Sequence, residues 1–438
     1  MATRRSTWEQ IKWTWQPAST REAGDSIVRN FLLHWFPAKV TTESLSWGYS
    51  FWLGTVSAVL FFILTITGVV LMFLYVPSVE RAYLSVKDLE YTVSYGWFIR
   101  GLHRMSAHLM VAVVFLHMIR VFLTGAYKNG TAAKQNRPIN WVVGVGLLLA
   151  TLLLSFTGYL LPWDQLAFWA ITVGTNIASA APVVGEWVRF VLLGGRTIDQ
   201  GALIRFYVLH CFFLPSFVLL LFSYHMWRVR KDGGLACVDR LSLSQKKDNV
   251  VPIKSKTYSL LGITSGSTVN VETALVDEDA HTVRSSPNLT RRLTVVTLAT
   301  IAITGLLTIF SRAPLEAAAD PNVTPNPAKA PWYFLWLQEL VTDTTFTVAG
   351  ITINGALVGG ILIPGILVVA LIVWPYLDKT GAGAVGAWFA KDRKRQNIVF
   401  LAIVVAVLVL TIIGTFMRGP FWNFYWPWES WPELPRKL

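Results

Sequence analysis

Charge is what this sequence lacks most. Only 14% of its 438 residues are Asp, Glu, Lys or Arg, where a soluble domain carries roughly 25%. The rest is apolar to match, at 53% hydrophobic residues and a mean hydropathy of +0.49. That excludes an ordinary soluble globule and indicates a polytopic membrane protein. Cysteine is nearly missing too. Cys211 and Cys237 cannot supply the thiolates that an iron–sulfur cluster takes, with or without histidine. There is no CxxCH run, so no covalent c-type haem is expected. No internal repeat relates the two halves, which argues against an inverted-repeat transporter. No cleavable signal peptide is expected before the first apolar run. The opening MATRRSTWEQIKWTWQ reads as an interfacial amphipathic segment.

What is present is long apolar runs. Seven of them, near 50–74, 101–124, 139–160, 204–229, 293–311, 355–376 and 397–417, approach the ~20 residues that cross a hydrocarbon core. The predicted fold class is an all-α membrane protein of seven transmembrane helices. The net charge of +13 does not point to a nucleic-acid partner, because the basic residues gather in alternate loops. Arg4, Arg5, Lys12, Arg21 and Arg29 precede the first run; Lys128, Lys134 and Arg137 follow the second; Lys391, Arg393, Lys394 and Arg395 follow the sixth. By the positive-inside rule the N-terminus is cytoplasmic and the C-terminus lies outside. The expected organisation is a cytoplasmic N-terminal segment 1–49, a four-span domain 50–230, a polar cytoplasmic linker 231–290, a three-span domain 291–418 and an outer tail 419–438. Residues 161–203 and 326–345 are semi-apolar and turn-rich, and predict short helices lying on the outer membrane surface.

Ionisable residues inside membrane spans mark function, and the stretch LHRMSAHLMVAVVFLHMIR (102–120) holds three histidines. His103 and His117 are 14 residues apart; His210 and His225, in the fourth run, are 15 apart. At ~100° per residue both intervals return to roughly one helix face, separated by about 21–23 Å along the axis. An antiparallel arrangement faces His103 with His210 at one depth and His117 with His225 at the other. Two imidazoles at each level suit an iron porphyrin, which needs only axial ligands. A zinc or copper ion is disfavoured because the histidines of one helix are too far apart to share it. His108 stands about 140° from His103 around the helix and reads as a packing or polar contact, with no metal role expected.

Glycines repeat the spacing. Gly54 and Gly68 in the first run, and Gly144 and Gly158 in the third, are again 14 apart. Absent side chains let a flat ring lie against backbone, so two stacked planar cofactors are expected in a four-helix dihaem bundle. Arg100, Arg104 and Arg205 lie beside the outer histidines and Arg120, Arg228 and Arg230 beside the inner ones, as partners for anionic propionates.

With these residues in view the sequence closely resembles cytochrome b of the cytochrome bc complexes, the cytochrome b/b6 family. The likeness covers about residues 30–420 and is carried by GWFIRGLHRMSAHLM, SFTGYLLPWDQLAFWAITVGTNIASAAPVVG, RFYVLHCFFLP and APWYFLWLQEL. Four-span and three-span parts that are separate chains in the chloroplast-type protein are fused here through 231–290. The resemblance implies two b-type haems, on His103 with His210 and on His117 with His225. It also implies oxidation of quinol near the outer face, with Tyr159, Trp163, Trp332 and Tyr333 lining the pocket, and a quinone site near the inner haem with Arg228 and Asp232. The implied partners are a Rieske iron–sulfur protein, a c-type cytochrome, quinone (menaquinone or ubiquinone) and lipid, in a homodimeric complex of a bacterial inner membrane.

Two positions depart from the family pattern. The outer motif Pro-Glu-Trp-Tyr, whose Glu accepts a quinol proton, is Ala330-Pro331-Trp332-Tyr333 here. Asp164 and Glu339 are the expected substitutes. The cysteine that attaches an extra haem in the chloroplast-type protein corresponds to Trp52, so no such haem is expected. The alternatives are a dihaem membrane anchor of a dehydrogenase or hydrogenase, and a haem-free seven-span transporter.

Overall fold

The computed structural model describes residues 39–130, 135–235, 250–254, 268–272, 282–381 and 385–432. The expectations for 1–38, for most of the linker and for the last six residues fall outside them. Seven helices long and apolar enough to cross a membrane lie among the described residues: Leu53–Met72, Gly96–Leu123, Arg137–Tyr159, Gln200–Lys231, Ser285–Phe310, Gly355–Leu377 and Lys391–Met417. These are the seven expected. All but the first, which lies inside its run, extend past the apolar run at one end or both, most clearly the fifth, which begins at Ser285 rather than near 293. Ser286 is a kink with extended φ/ψ, and beyond it polar Asn288, Thr290, Arg291 and Arg292 continue the helical ladder while contributing nothing to hydropathy.

Apolar side chains such as Ile66, Leu220, Phe310 and Ile366 stay exposed on these helices, as they can where the solvent is lipid and only the backbone must be satisfied internally. The first and second spans pack together, as do the third and fourth. The fifth lies against the first two and the sixth against the third.

The fourth span is not a uniform α-helix. Leu209–Phe213 forms a π-helical turn just before Pro215. Proline has no N–H for the carbonyl four residues back, and the helix accommodates that by widening for one turn. The same device occurs at Val358–Leu362 in the sixth span, ahead of Pro364.

The two halves are joined at the His117 end. Strands β1 (Lys39–Thr41) and β4 (Thr282–Arg284) pair antiparallel, so the approaches to the first and fifth spans run side by side. Between them in sequence, β2 (Val250–Lys254) and β3 (Thr268–Glu272) also pair, which puts a hairpin where only a linker was expected. Phe122 stacks on Phe400 with centroids 3.8 Å apart, and Trp141 Nε1 donates to the Leu371 carbonyl at 2.6 Å. Beneath them is a buried polar cluster. Asp378 accepts from the Tyr127 hydroxyl at 2.6 Å, Lys128 at 3.2 Å and Arg393 at 3.4 Å. Arg393 also donates to the Tyr127 hydroxyl and the Phe122 carbonyl.

The His103 end is roofed by surface helices Gln165–Ser179 and Gly185–Leu193, both within the segment expected to form them, and by Trp332–Asp343 within the other. A further short helix, Ala82–Tyr91, and a small ribbon of β5 (Phe346–Val348) with β6 (Ile351–Ile353) were not anticipated. Asp164 caps Gln165–Ser179, accepting from Ala167 N at 2.9 Å. Gln165 and Asp320 exchange side-chain to backbone bonds of 2.7 and 3.0 Å. This clasp binds the loop after the third span to the three-span half.

Candidate functional site

The two histidines on facing helices meet at the His103 end. His103 and His210 have ring centroids 6.2 Å apart with planes at 76°. The extra residue in the His210–His225 interval is taken up by the π-helical turn that contains His210. At the other end His117 and His225 line one cavity of about 110 Å³, together with Arg120, Arg137, Asn140, Gly144 and Asp232.

Neighbouring hydroxyls decide which ring nitrogen is available. Thr67 Oγ1 donates to the Ile63 carbonyl at 2.7 Å and lies 2.9 Å from His103 Nδ1. Its own proton is committed, so it accepts from Nδ1–H. His210 Nδ1 lies 3.1 Å from the Leu154 carbonyl and 3.2 Å from Thr157 Oγ1. A carbonyl can only accept, so Nδ1 is again the protonated nitrogen. Both rings therefore keep Nε2 unprotonated, with Nδ1–H held by an outer partner, as metal-ligating histidines do.

Each histidine also rests on a glycine of the neighbouring helix. A Cβ on Gly54 would lie 3.3 Å from His117 Cε1, one on Gly68 3.3 Å from His103 Cε1, and one on Gly144 3.7 Å from His225 Cε1. On Gly158 it would collide with the His210 ring. The 14-residue glycine repeat and the histidine repeat thus meet pairwise. Among the described residues no cluster of three or more His, Cys, Asp or Glu side chains could hold a bare metal ion. Paired imidazoles in glycine cradles fit a planar cofactor that brings its own equatorial ligands.

The arginines differ in how committed they are. Arg100 pairs with Glu90 at 2.8 Å and donates to the carbonyls of Ala313 and Pro314. Arg205 donates to the Gly201 carbonyl at 3.0 Å. Arg228 makes two bonds of 2.7 and 2.9 Å to Asp232, both side chains buried. Arg120 is buried over the Tyr49 ring, 4.6 Å from its centroid, and faces the His117 cavity. Arg104 lies among Tyr159, Tyr333 and Asp164.

At the His103 end Tyr159, Trp332 and Tyr333 gather around Arg104 and His108. Tyr333 is buried, and burial pushes its phenol up to about 12 while Arg104 pulls the other way. Trp163 is buried with φ 53°, and its carbonyl accepts from Ala319 N at 3.2 Å. The two expected carboxylates are both engaged. Asp164 is the helix cap and also accepts from Glu316 N at 3.3 Å. Glu339 is fully buried and gripped by Arg418, whose Nε lies 2.9 and 3.0 Å from its two oxygens. The sequence reading gave His108 no partner. In the structure it accepts from Trp332 Nε1 at 3.1 Å and stands 5.9 Å from the Tyr333 ring. A lone histidine in an apolar run was the visible signal; the partner lies 224 residues away.

The fold and these paired sites define a polytopic, all-α membrane protein of the electron-transfer class. Comparison with known proteins narrows this. The family model described as cytochrome b/b6/petB matches residues 38–233, and cytochrome b(C-terminal)/b6/petD matches 318–426. The chain is 41% identical over 181 residues to cytochrome b6 of Synechococcus sp. (strain RCC307), covering 41% of this chain and 80% of that protein. It is 40% identical over the same length to cytochrome b6 of Prochlorococcus marinus (strain AS9601), with the same coverage. A solved structure, a hyperthermophilic respiratory Complex III, shares the fold with a TM-score of 0.65 and 24% identity over 86% of each chain. The chain belongs to the cytochrome b/b6 family, with both parts of the cytochrome in one polypeptide. It is a cytochrome bc-type b subunit, a haem protein of membrane electron transport.

Proposed function

We propose that the chain is the dihaem core of a quinol:cytochrome c oxidoreductase, with residues 50–230 as the dihaem domain. His103 with His210 would hold one b-type haem and His117 with His225 the other. Bound there, the haems supply one-electron carriers at two depths. The observation that carries the reading is the coincidence of two histidine pairs with two glycine pairs on the neighbouring helices. Arg104, at the His103 end, and Arg120, at the His117 end, are the propionate partners. Arg100 and Arg205 serve only by exchanging Glu90 and the Gly201 carbonyl.

The His103 end is the outer face, as the basic loops at the other end imply. Quinol binds in the cleft of Tyr159, Trp163, Trp332 and Tyr333, formed where the three-span domain 291–418 meets the dihaem domain. The second family-model match, over 318–426, favours this over a dehydrogenase anchor. One electron leaves to a Rieske iron–sulfur protein and a c-type cytochrome; the other crosses to a quinone site by the His117 cavity, near Arg228 and Asp232. Residues 231–290 would lie in the cytoplasm of a bacterium, the tail 419–438 outside, and the assembly would be a homodimer. Quinone, whether menaquinone or ubiquinone, is the substrate.

A reduced-minus-oxidised spectrum of the purified chain should contain two b-type components. His117→Ala should remove one and leave the other. A spectrum without b-type absorbance, or a variant that keeps both, would overturn the assignment.

A further inference from the structure

Quinol oxidation releases protons, and the cleft at the His103 end must hold a base to receive one. Position 331, where the family motif has its carboxylate, is proline. Asp164 accepts from Ala167 N and Glu316 N, which fixes it at the start of the surface helix as its cap. Glu339 is ion-paired with Arg418 and buried. Tyr333, at about 12, is protonated at neutral pH, and Arg104 is a cation. Resting on the quinol-oxidation reading, we propose that His108 is the base that takes a quinol proton in this cleft.

The contact with Trp332 specifies the nitrogen. An indole N–H can only donate, so the Nδ1 that accepts it at 3.1 Å carries the free lone pair. The ring is neutral, with its proton on Nε2. Trp332 is 40% exposed, which leaves the indole room to give up its place. In the step, a quinol O–H takes the position of the indole N–H. The O–H bond breaks, its electron pair stays on oxygen, and an N–H bond forms at Nδ1. The products are a bound quinol anion and an imidazolium. The imidazolium has two N–H groups and no acceptor, so it cannot take back the indole bond until it loses a proton to outer water. The second O–H proton leaves to outer water as the two electrons pass, as proposed above, to the iron–sulfur partner and to the haem pair.

The charged and titratable groups around His108 are Arg104 one turn away on the same span and Tyr333 on the facing surface helix. Beyond Arg104 lie Tyr159, Asp164, Arg100 and, beside Tyr159 and Asp164, Glu316.

The test compares the purified complex with its His108→Gln and His108→Glu variants. Quinol:cytochrome c reductase turnover is measured from about pH 4 to 8, a window that covers ordinary carboxylate and imidazole ranges, and a haem spectrum is taken for each. Gln keeps an acceptor for the indole but does not titrate. The expected result for Gln is a turnover loss of about 100-fold, within the range for removing a general base, with KM little changed and the acid limb of the profile absent. Glu should recover turnover together with an acid limb. Gln at the wild-type rate with an unchanged profile overturns the proposal. So does equal impairment of Gln and Glu, which would make His108 a positioning residue. Two b-type components in every variant show that the haem assignment stands apart from this outcome. A wild-type complex that binds haem but does not oxidise quinol overturns the underlying reading and this one with it.

Discussion

His210 presses against Gly158 so closely that an added methyl would overlap its ring, whereas Gly144 leaves His225 at ordinary van der Waals distance. The four cradles are therefore graded. Gly144→Ala should retain both b-type components, Gly54→Ala and Gly68→Ala should broaden or shift one, and Gly158→Ala should lose the component on His103 and His210. Redox difference spectra of the four variants check the order. Equal behaviour of Gly144→Ala and Gly158→Ala would refute it.

Thr67 holds His103 by its Nδ1–H at 2.9 Å. Thr67→Val keeps the shape and removes the acceptor. Loss of such an outer partner typically weakens the held group about 10–100-fold. Haem release from this variant in detergent should be faster by about that factor at the His103 level and unchanged at the His117 level, which His117→Ala as a background makes readable.

Asp378 fastens the two halves, and its pH dependence has a definite sign. Burial alone would raise its pKa, but hydrogen bonds from Tyr127 and Thr380 and the charge of Lys128 prevail and hold it well below the usual carboxylate range. Its stabilising contribution is complete above the unfolded value of ~3.9 and is lost as pH falls through the folded value. Asp378→Asn leaves Arg393 and Lys128 buried without their counter-charge, a change that costs about 3–5 kcal/mol. Thermal inactivation at pH 7 should come earlier in this variant. The gap between variant and wild type should narrow below about pH 4, where the carboxylate of the unfolded chain takes up a proton and that of the folded chain does not.

Glu339 and Arg418 join the surface helix Trp332–Asp343 to the last span. Glu339→Gln should lower thermal stability, since a buried charge loses its partner. It should leave the shape of the pH profile for quinol oxidation unaltered. A lost acid limb in this variant would return the proton-acceptor role to Glu339.

Much of this was legible because a bilayer restricts the chain so strongly. Low charge and seven apolar runs leave only helices as a solution, and the matched repeats of His103–His117 and Gly54–Gly68 survive projection onto a regular helix. Helix ends were less legible, since residues 287–292 are helical without being apolar. The clasp of Asp164 and the grip of Arg418 on Glu339 were not legible at all. A carboxylate reads the same in sequence whether it is a free base, a cap or half of an ion pair.

The sequence alone determined the class of protein, the number of spans and the four histidines with their glycines, because each follows from local periodicity and the cost of polar groups in lipid. The tertiary structure decided two things. A π-helical turn before Pro215 absorbs the odd residue between His210 and His225, which no regular wheel could predict. Docking of the Trp332 helix against the second span gives His108 its partner. The first is a local response to Pro215 that a regular wheel leaves out, and the second depends on a contact between segments far apart in the chain, where spacing along the sequence carries no information.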